Sequence, residues 1–202
     1  VALPHVRDPG EFLVAAMQQA HEEILRYAKE RQLGGNPGTT CVAALLQDGQ
    51  VRWAHAGDSR AYLLRGHDVM ARTRDHSMVQ QWVDWGIISP DEIRTHPDRN
   101  KITNCLGGVE GMFTPELSNY FPLQRGDVIL LCSDGLWGPV SGEEMASVTS
   151  ETTLSSSLEN LMDKAQRRDG PRADNITAIV ASWDTEELTH VSSPVVIALD
   201  IG

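Results

Sequence analysis

The sequence lacks long hydrophobic runs, an excess of positive charge and a cysteine framework. No apolar stretch approaches the roughly 20 residues needed to cross a bilayer, so no membrane segment is predicted in this chain. There are 17 Lys and Arg against 28 Asp and Glu, a net charge of -11, and no basic stripe that could neutralise nucleic-acid phosphates. Cys41, Cys105 and Cys132 show no Cys-x-x-Cys spacing. They are typical of reduced residues in a cytoplasmic protein.

The chain also lacks an initial Met and any signal-peptide pattern, so we expect it to be a piece of something longer. Its 202 residues, 41% of them hydrophobic, are enough to bury one sizeable core. No repeat or low-complexity tract divides them. A single domain over residues 1–202 is therefore predicted, with a C-terminal tail from residue 184 to 202 whose pairing is left open.

What the sequence does have is a buried strand that ends in a carboxylate. Val128–Leu131 is a continuous apolar run, typical of a strand buried on both faces. Asp134 follows, and Gly135 after it permits a sharp turn or a close approach. An ionised Asp beside a core is costly unless it is paired, hydrogen-bonded or bound to a metal. The alternative is an ordinary Asp-Gly turn.

The other elements form a mixed pattern. A helix begins at Asp8-Pro9, and His21 on it is predicted to be solvated. Its predicted buried stripe consists of Phe12, Ala16, Ala20, Ile24 and Ala28, widened by Leu13, Met17 and Tyr27. Short strands then follow one another as an antiparallel meander, first across the Asp48-Gly49 hairpin. Extended segments around residues 102–106 and 113–123 come next. Helices over 141–144 and 154–168 precede a last β-branched strand over 176–183.

Three aspartates share nearly the same setting beside apolar strands. They are Asp58, Asp134 and Asp174, each next to a small or polar residue where a strand begins or ends. Aligned strand ends would bring them to one edge of a sheet, where carboxylates repel one another unless cations hold them. An all-oxygen set suits Mg²⁺ or Mn²⁺, and two such ions can activate a water for attack on phosphorus. Taken singly, each Asp could instead be a turn residue.

Six ordered segments resemble the bacterial branch of the metal-dependent serine/threonine protein phosphatases, the type 2C family. In chain order they are Gly38–Thr40, Gly57–Tyr62, Arg74–Ser77, His96–Gly107, Ser133–Trp137 and Asp174–Thr177. One tripeptide would be weak evidence, whereas six in order over residues 38–183 are a strong signal. The resemblance implies an α+β fold: two packed antiparallel sheets flanked by helices.

The resemblance also implies roles for individual residues. Asp134 and Asp174 would be catalytic metal ligands, and Asp58 would hold an additional ion with Asp134. The complete protein would use two or three Mn²⁺ or Mg²⁺ ions to hydrolyse phosphoserine and phosphothreonine on proteins, including a Ser/Thr kinase or its substrates. The residues predicted to support the site are Gly57, Ser59, Arg60, Gly135 and Asn175.

Residues 77–106 resemble the flap of this family, a segment that lies over the active site and influences substrate choice. His76 would stand at its base, where a structural histidine is the alternative to a functional one. Ser77 would cap a short helix, with Gln80 three residues later. Trp82 and Trp85 would offer rigid contact area to a partner protein, unless one of them belongs to the core.

Two acidic motifs of the family do not occur in these residues. One has an Arg upstream of an Asn-Glu-Asp-like run, and the other is Asp-Gly-x-Gly-Gly. Two interpretations follow: an amino-terminally incomplete phosphatase, or a relative that kept the fold and became a binding or regulatory module. Retention of three clustered carboxylates favours the enzyme, whereas the absence of the two motifs favours the module. On the enzyme interpretation, we expect residues 1–202 alone to be impaired, because the residues of those motifs would hold further metal and phosphate. On either interpretation we expect the missing strands to leave a sheet edge open.

Overall fold

The computed structural model describes residues 5–35, 37–108, 113–150, 153–184 and 195–201. They form two antiparallel sheets with helices on the outer faces, which confirms the predicted α+β sandwich. The helices are α1 (Pro9–Glu30), α2 (Met78–Asp84), α3 (Asp134–Trp137), α4 (Gly142–Ala146) and α5 (Leu154–Asp169). Short 3₁₀ helices span Pro90–Thr95, Ser147–Ser150 and Gly170–Arg172.

The first sheet is built around the predicted hairpin. Its strands are β1 (Gly38–Gln47), β2 (Gln50–Ala56), β5 (Leu106–Gly107), β6 (Glu116–Leu117), β7 (Phe121–Pro122) and β10 (Val195–Ile201). Asp48 and Gly49, with φ of 53° and 70°, form the turn between β1 and β2, as a two-residue hairpin with both central φ positive requires. The expected single extended segment over 113–123 is two short strands, β6 and β7, that pair with opposite ends of β2.

The second sheet carries the buried central strand. Its strand order is β4-β3-β8-β9, with β3 (Arg60–Arg65), β4 (Asp68–Arg72), β8 (Asp127–Cys132) and β9 (Ala178–Trp183). Every residue of β8 is buried, as the apolar run predicts. The meander is therefore divided between two sheets, and the chain crosses from one to the other between β2 and β3.

Three apolar clusters hold the four layers together. One lies between the sheets, with Trp53 of β2 against Leu63 of β3 and Leu131 of β8. A second packs α3, α4 and α5 on the outer face of the second sheet, and a third packs α1 on the first sheet. The edge that both sheets share is where the β2–β3 crossing and the end of β8 meet.

The predicted buried stripe of α1 is wrong in detail. Asp8 caps the helix by accepting from the N–H groups of Gly10 and Glu11 at 2.9 and 3.0 Å. Leu13, Met17 and Ala28 of the predicted stripe are buried, whereas Phe12 is 39% and Tyr27 52% exposed. The buried face is therefore centred on Leu13, Met17 and His21, and the expected burial of Phe12 is wrong.

His21 is in fact part of the core, so its expected solvation is also wrong. It is buried, its ring stacks on Phe113 at 4.5 Å, and its Nδ1 accepts from the N–H of Gly107 at 3.0 Å. Gly107 has φ of +69°, and a Cβ there would lie 2.0 Å from the carbonyl oxygen of Pro37. A histidine therefore completes the packing of α1 against β5.

The tail supplies a strand that could not be assigned from sequence. β10 pairs antiparallel with β1 from Leu46↔Val195 to Thr40↔Ile201. Among the described strands, β10 covers β1 and is itself the last strand on this side of the sheet, so the expectation of an open edge stays a prediction. Residues 185–194 of the predicted tail lie outside the described residues.

Candidate active site

Asp58 lies in the crossing between the two sheets. Gly57 has φ of +109°, and a Cβ there would come within 2.3 Å of the Thr40 side chain. Only glycine permits this close passage of β2 beside the start of β1. Ser59, also buried, places its Oγ 2.9 Å from Oγ1 of Thr40. The turn that presents Asp58 is thus held to β1 by a short hydrogen bond next to a glycine.

Asp134 and Asp174 are brought together by a second close approach. Asp134 opens α3 directly beyond β8, and a Cβ at Gly135 would lie 2.4 Å from the carbonyl oxygen of Asn175. Buried Ser133 donates from Oγ to that carbonyl at 3.1 Å and accepts from the N–H of Thr177 at 3.0 Å. These contacts fasten the segment that carries Asp174 against the turn that carries Asp134.

The three predicted carboxylates line one cavity of about 330 Å³. Asp169, at the end of α5, lines it as well. The other lining residues come from α3 and from the segment between β4 and β5: Arg94, Thr95, Arg99, Asn100, Gly135, Trp137 and Gly138. We call this space the carboxylate cavity. Its aspartates, which we call the acidic wall, and its arginines line the same cavity.

The acidic wall carries unfavourable charge in the absence of a cation. Burial, together with the nearby Asp134 and Asp75, raises the pKa of Asp58 to about 7. Burial and Asp174 also raise the pKa of Asp134, opposed by the Gly135 backbone N–H and the charge of Arg99. Both raised pKa values mean that the ionised carboxylates are disfavoured in the metal-free protein. A bound cation would stabilise these ionised forms. The all-oxygen donor set fits a hard divalent ion such as Mg²⁺ or Mn²⁺.

Arg60 links Asp75 to the ring of Trp137 beside the site. Its guanidinium makes a bidentate pair with buried Asp75 at 2.7 and 2.6 Å and lies 3.5 Å from the centre of the Trp137 ring. Trp137 in turn donates from Nε1 to the carbonyl oxygen of Asp58 at 2.8 Å. A chain of contacts therefore joins α3 to the Asp58 turn. Arg60 supports the turn, and its two bonds to Asp75 occupy one side of its guanidinium.

The sequence is similar to those of known proteins. The family described as protein phosphatase 2C matches residues 4–81. The Listeria monocytogenes protein named serine/threonine phosphatase stp is 37% identical over 175 residues, which cover 86% of this chain and 68% of that protein. The chain belongs to the protein phosphatase 2C family.

Solved structures agree with this membership. A crystal structure described as a bacterial serine phosphatase superposes with a TM-score of 0.80 at 32% identity, covering 92% of this chain and 74% of that one. The catalytic domain of the phosphatase PstP, solved in complex with two manganese ions, superposes with a TM-score of 0.75 at 31% identity over 88% of this chain and 73% of its own. Within the described residues, no helix has the length and hydropathy to span a membrane.

In this phosphatase 2C chain, the predicted flap is closed at its base by backbone hydrogen bonds. Met78 N–H donates to the carbonyl of Lys101 at 2.9 Å, and Thr103 N–H donates to that of His76 at 2.8 Å. Ser77 accepts from the N–H of Gln80 at 3.3 Å and caps α2 as predicted. Residues 77–106 therefore follow β4 of the second sheet and end at β5 of the first, and Ser77 and Ile102 pair at the base of the segment.

His76 connects the base of the flap to the Asp58 turn. Its Nδ1 accepts from the N–H of Gly57 at 3.3 Å and from Nδ2 of Asn104 at 3.0 Å. Because Nδ1 accepts, Nε2 carries the proton and donates to Glu116 at 3.0 Å. The side chain is a satisfied structural histidine, as the alternative interpretation has it, and it holds three segments together.

His55, His76 and Glu116 form a cluster that resembles a metal site but lacks its geometry. One ligand atom from each lies within 4.8 Å of the others. The two imidazole rings, however, stack at 4.4 Å with planes 18° apart, so their in-plane lone pairs run alongside each other and do not converge. Nε2 of His55 donates to the carbonyl of Arg74 at 2.8 Å, and burial and His76 lower the pKa of His55. The cluster is a packed network in which the two rings stack and His76 contacts Glu116.

The two flap tryptophans differ in exposure. Trp82 is half-buried, with His96 edge-on at 4.9 Å, whereas Trp85 is 67% exposed at the end of α2. The core alternative thus fits Trp82, and the contact alternative fits Trp85. Ile87, 63% exposed, lies next to it in sequence.

Sequence reasoning missed several lining residues. Asp169 looks like an ordinary acid at a helix end, and nothing in its neighbours marks it. Arg99 and Asn100 belong to one of the resembling segments but were given no role, and Arg94 and Thr95 lie in a 3₁₀ helix without an informative period. Trp137 was read only as part of the motif Ser133–Trp137. Its bond to Asp58 requires the fold to be known.

Proposed function

We propose that the protein hydrolyses phosphoserine and phosphothreonine on proteins at the carboxylate cavity, with two or three Mn²⁺ or Mg²⁺ ions in the complete protein. Asp58, Asp134 and Asp174 are the residues of this chain that would hold them. Bound divalent ions supply a water of lowered pKa and stabilise charge that develops at phosphorus. Catalysis then needs no phosphorylated enzyme residue.

The other residues of the cavity support the proposal by what they would do to a phosphoprotein. Arg94 and Arg99 lie within residues 77–106 and line the same cavity as the carboxylates, and Arg99 is close enough to lower the pKa of Asp134. A guanidinium binds phosphate through two parallel N–H bonds. The arginines would hold the phosphoryl oxygens while the carboxylate wall holds the cations.

The observation that carries the proposal is the convergence of Asp58, Asp134 and Asp174 on one cavity. They come from three distant parts of the sequence, and their clustering costs free energy that only a cation returns. A binding module without chemistry has no physical need for such a cost. The relatives described above are named as phosphatases, which supports the enzyme.

A metal-dependence assay tests the proposal. The complete protein is stripped of metal, and phosphate release from a phosphothreonine peptide is measured as Mn²⁺, Mg²⁺ or Ca²⁺ is added. Turnover should appear with Mn²⁺ or Mg²⁺ and disappear when excess chelator is restored. Full turnover in chelator would contradict the metal mechanism, and no turnover with any ion would contradict the enzymatic function.

The partners and compartment follow from the same proposal. The substrates would be phosphorylated proteins, and a Ser/Thr kinase or its targets would be the partners in a bacterial signalling system. Among the residues that the structure describes, no disulfide joins Cys41, Cys105 and Cys132, which supports a cytoplasmic location. Residues 77–106 would act as a flap within a single phosphatase domain, selecting the substrate protein.

A further inference from the structure

A second depression of about 520 Å³ lies beside the carboxylate cavity. It runs between the flap, β4 and the loop that joins α3 to α4. Its lining includes four arginines, which are Arg60, Arg72, Arg94 and Arg168. We call it the arginine groove. In a chain of net charge -11, such a concentration of guanidinium groups is a local reversal of charge.

The four arginines are not equally committed to partners within the fold. Arg60 is held by Asp75, and Arg168 makes hydrogen bonds to both carboxylate oxygens of Glu144. The side chains of Arg72 and Arg94, in contrast, make no hydrogen bond or ion pair with any residue that the structure describes. The groove therefore has two exposed guanidinium groups available to an outside anion, against one acidic lining residue, Asp91.

The groove is continuous with the active site. Arg94, Trp137 and Gly138 line both the arginine groove and the carboxylate cavity. An extended peptide advances about 3.3 Å per residue. A peptide whose phosphorylated residue enters the carboxylate cavity can thus place a residue only a few positions away in the groove.

The apolar part of the lining suits an extended segment. Val69, Pro90, Ile93 and Val140 contribute to its walls, so aliphatic portions of a side chain have a surface to contact. The anionic end of that side chain would reach Arg72 at the edge strand β4. An anionic residue next to the reacting residue would contact the apolar walls with its aliphatic part and Arg72 with its charged end.

We propose that the arginine groove binds an anionic side chain that flanks the reacting phosphorylated residue. The preferred substrates are therefore segments with a second phosphorylated residue or with Asp or Glu nearby. This inference rests on the proposed phosphatase function and specifies its substrate class. Arg72 would be the residue that determines the preference, because it lines the groove and not the carboxylate cavity.

The test compares peptides within each variant. Phosphothreonine peptides carry neutral residues, a Glu, or a phosphoserine at one position within about five residues of the phosphothreonine, a span set by extended-chain spacing. The quantity measured, on the Mn²⁺-loaded protein, is kcat/KM for the anionic peptide divided by kcat/KM for the neutral one. Separate Glu and phosphoserine arms show which anion the groove takes.

Arg72→Gln should lower this ratio about threefold to tenfold, the range expected for an exposed charge-assisted contact. Arg72→Lys should restore part of it, since Lys keeps the charge but loses the bidentate geometry. The matched control is Arg167→Gln, which removes the same charge from an exposed position on α5 outside the groove. The control should leave the ratio unchanged.

Binding is measured in parallel, so that the two proposals fail separately. Fluorescence anisotropy of labelled peptides with the metal-free protein should show tighter binding of the anionic peptide, lost in Arg72→Gln and retained in Arg167→Gln. If wild type turned over no peptide but still showed this difference, the proposed function would fail and the groove would stand. Equal ratios and equal affinities in wild type and Arg72→Gln would overturn the proposal that the arginine groove binds an anionic side chain.

Discussion

The two walls of the carboxylate cavity are built in different ways. The acidic wall stands on strand ends and tight turns, where Gly57 and Gly135 permit approaches that any Cβ would block. The basic wall stands on the flap, a segment with one short α-helix and one 3₁₀ helix, closed only at its base. Rigid elements thus carry the groups that need precise positions, whereas the loop carries the groups that meet variable partners. Substitutions in the acidic wall should therefore change the chemistry, and those in the flap should change recognition.

The largest effect is expected from Asp134→Asn. Loss of one ligand charge at a shared metal centre removes several kcal/mol of transition-state stabilisation, so kcat should fall roughly 10²- to 10³-fold. The apoprotein should stay folded, since the pKa of Asp134 is raised and its ionised form is already disfavoured. Turnover and Mn²⁺ affinity by calorimetry are the measurements. An unchanged rate with unchanged affinity would show that Asp134 is only a turn residue.

The acidic wall was largely predictable from sequence because its signals are local. An apolar run followed by Asp-Gly marks a buried strand with a carboxylate at its end, and this pattern identified Asp134. Asp58 and Asp174 have similar settings, and the fold brings all three together. Asp169 was missed because its place depends on where α5 ends relative to β9, which no local pattern encodes.

The second prediction concerns the pH dependence of stability in the metal-free protein. The pKa of Asp58 is raised from an ordinary 3.8 to about 7, chiefly by burial. The folded state therefore holds this proton more tightly than the unfolded state, and the associated stability is present below about pH 4 and lost by about pH 7. Asp58→Asn should remove this loss, making the apoprotein more stable than wild type at pH 8 by on the order of 2–4 kcal/mol.

Urea unfolding at pH 4 and pH 8 measures the difference directly. Asp163→Asn, which removes an exposed acid on α5, serves as the control and should show no such pH-dependent gain. Mn²⁺ should then raise the stability of wild type more than that of Asp58→Asn. A parallel pH dependence in wild type and Asp58→Asn would mean that Asp58 ionises freely and is not strained.

The basic wall was poorly predictable for a physical reason. Arg94 lies on an exposed 3₁₀ helix where neither a helical nor a strand period operates, and its value depends on which other segments reach the same cavity. The error at His21 has a similar origin, since its partner Gly107 is 86 residues away. A long-range hydrogen bond to a polar side chain leaves no trace in the hydrophobic pattern.

The third prediction concerns His76, which links the base of the flap to the Asp58 turn by hydrogen bonds. His76→Ala removes the acceptor for the Gly57 N–H and for Asn104, so the flap base and the Asp58 turn should loosen together. We expect kcat/KM on a phosphopeptide to fall about tenfold, the equivalent of about 1.4 kcal/mol and close to the worth of one or two hydrogen bonds. Loss of kcat, and not only a rise in KM, would show that the Asp58 turn has moved.

Conservative variants separate the two functions of this side chain. His76→Asn keeps an acceptor near the position of Nδ1, whereas His76→Gln keeps a donor near that of Nε2, towards Glu116. Asn should recover more activity than Gln if the joint to Gly57 is what matters. Equal recovery by both, or by neither with full loss of folding, would assign His76 to packing against His55 alone.

The smallest effect is expected at Trp85, and it sharpens the comparison most. This side chain is 67% exposed on the flap, so Trp85→Ala removes no core contact and should leave the melting temperature and aryl phosphate turnover unchanged. A phosphoprotein substrate that contacts it should lose about twofold to fivefold in kcat/KM, through KM, because peripheral contacts contribute under about 1 kcal/mol.

Tyr27→Ala provides the control: it removes a 52% exposed aromatic from α1, on the first sheet's outer face, and should change the turnover of neither substrate. Exchange of residues 77–106 for the flap of a relative, with Arg94 and Arg99 retained, should change phosphoprotein preference while sparing aryl phosphate turnover. If Trp85→Ala instead slowed both substrates equally, the flap would serve the chemistry as well as recognition, and the division between the two walls would be wrong.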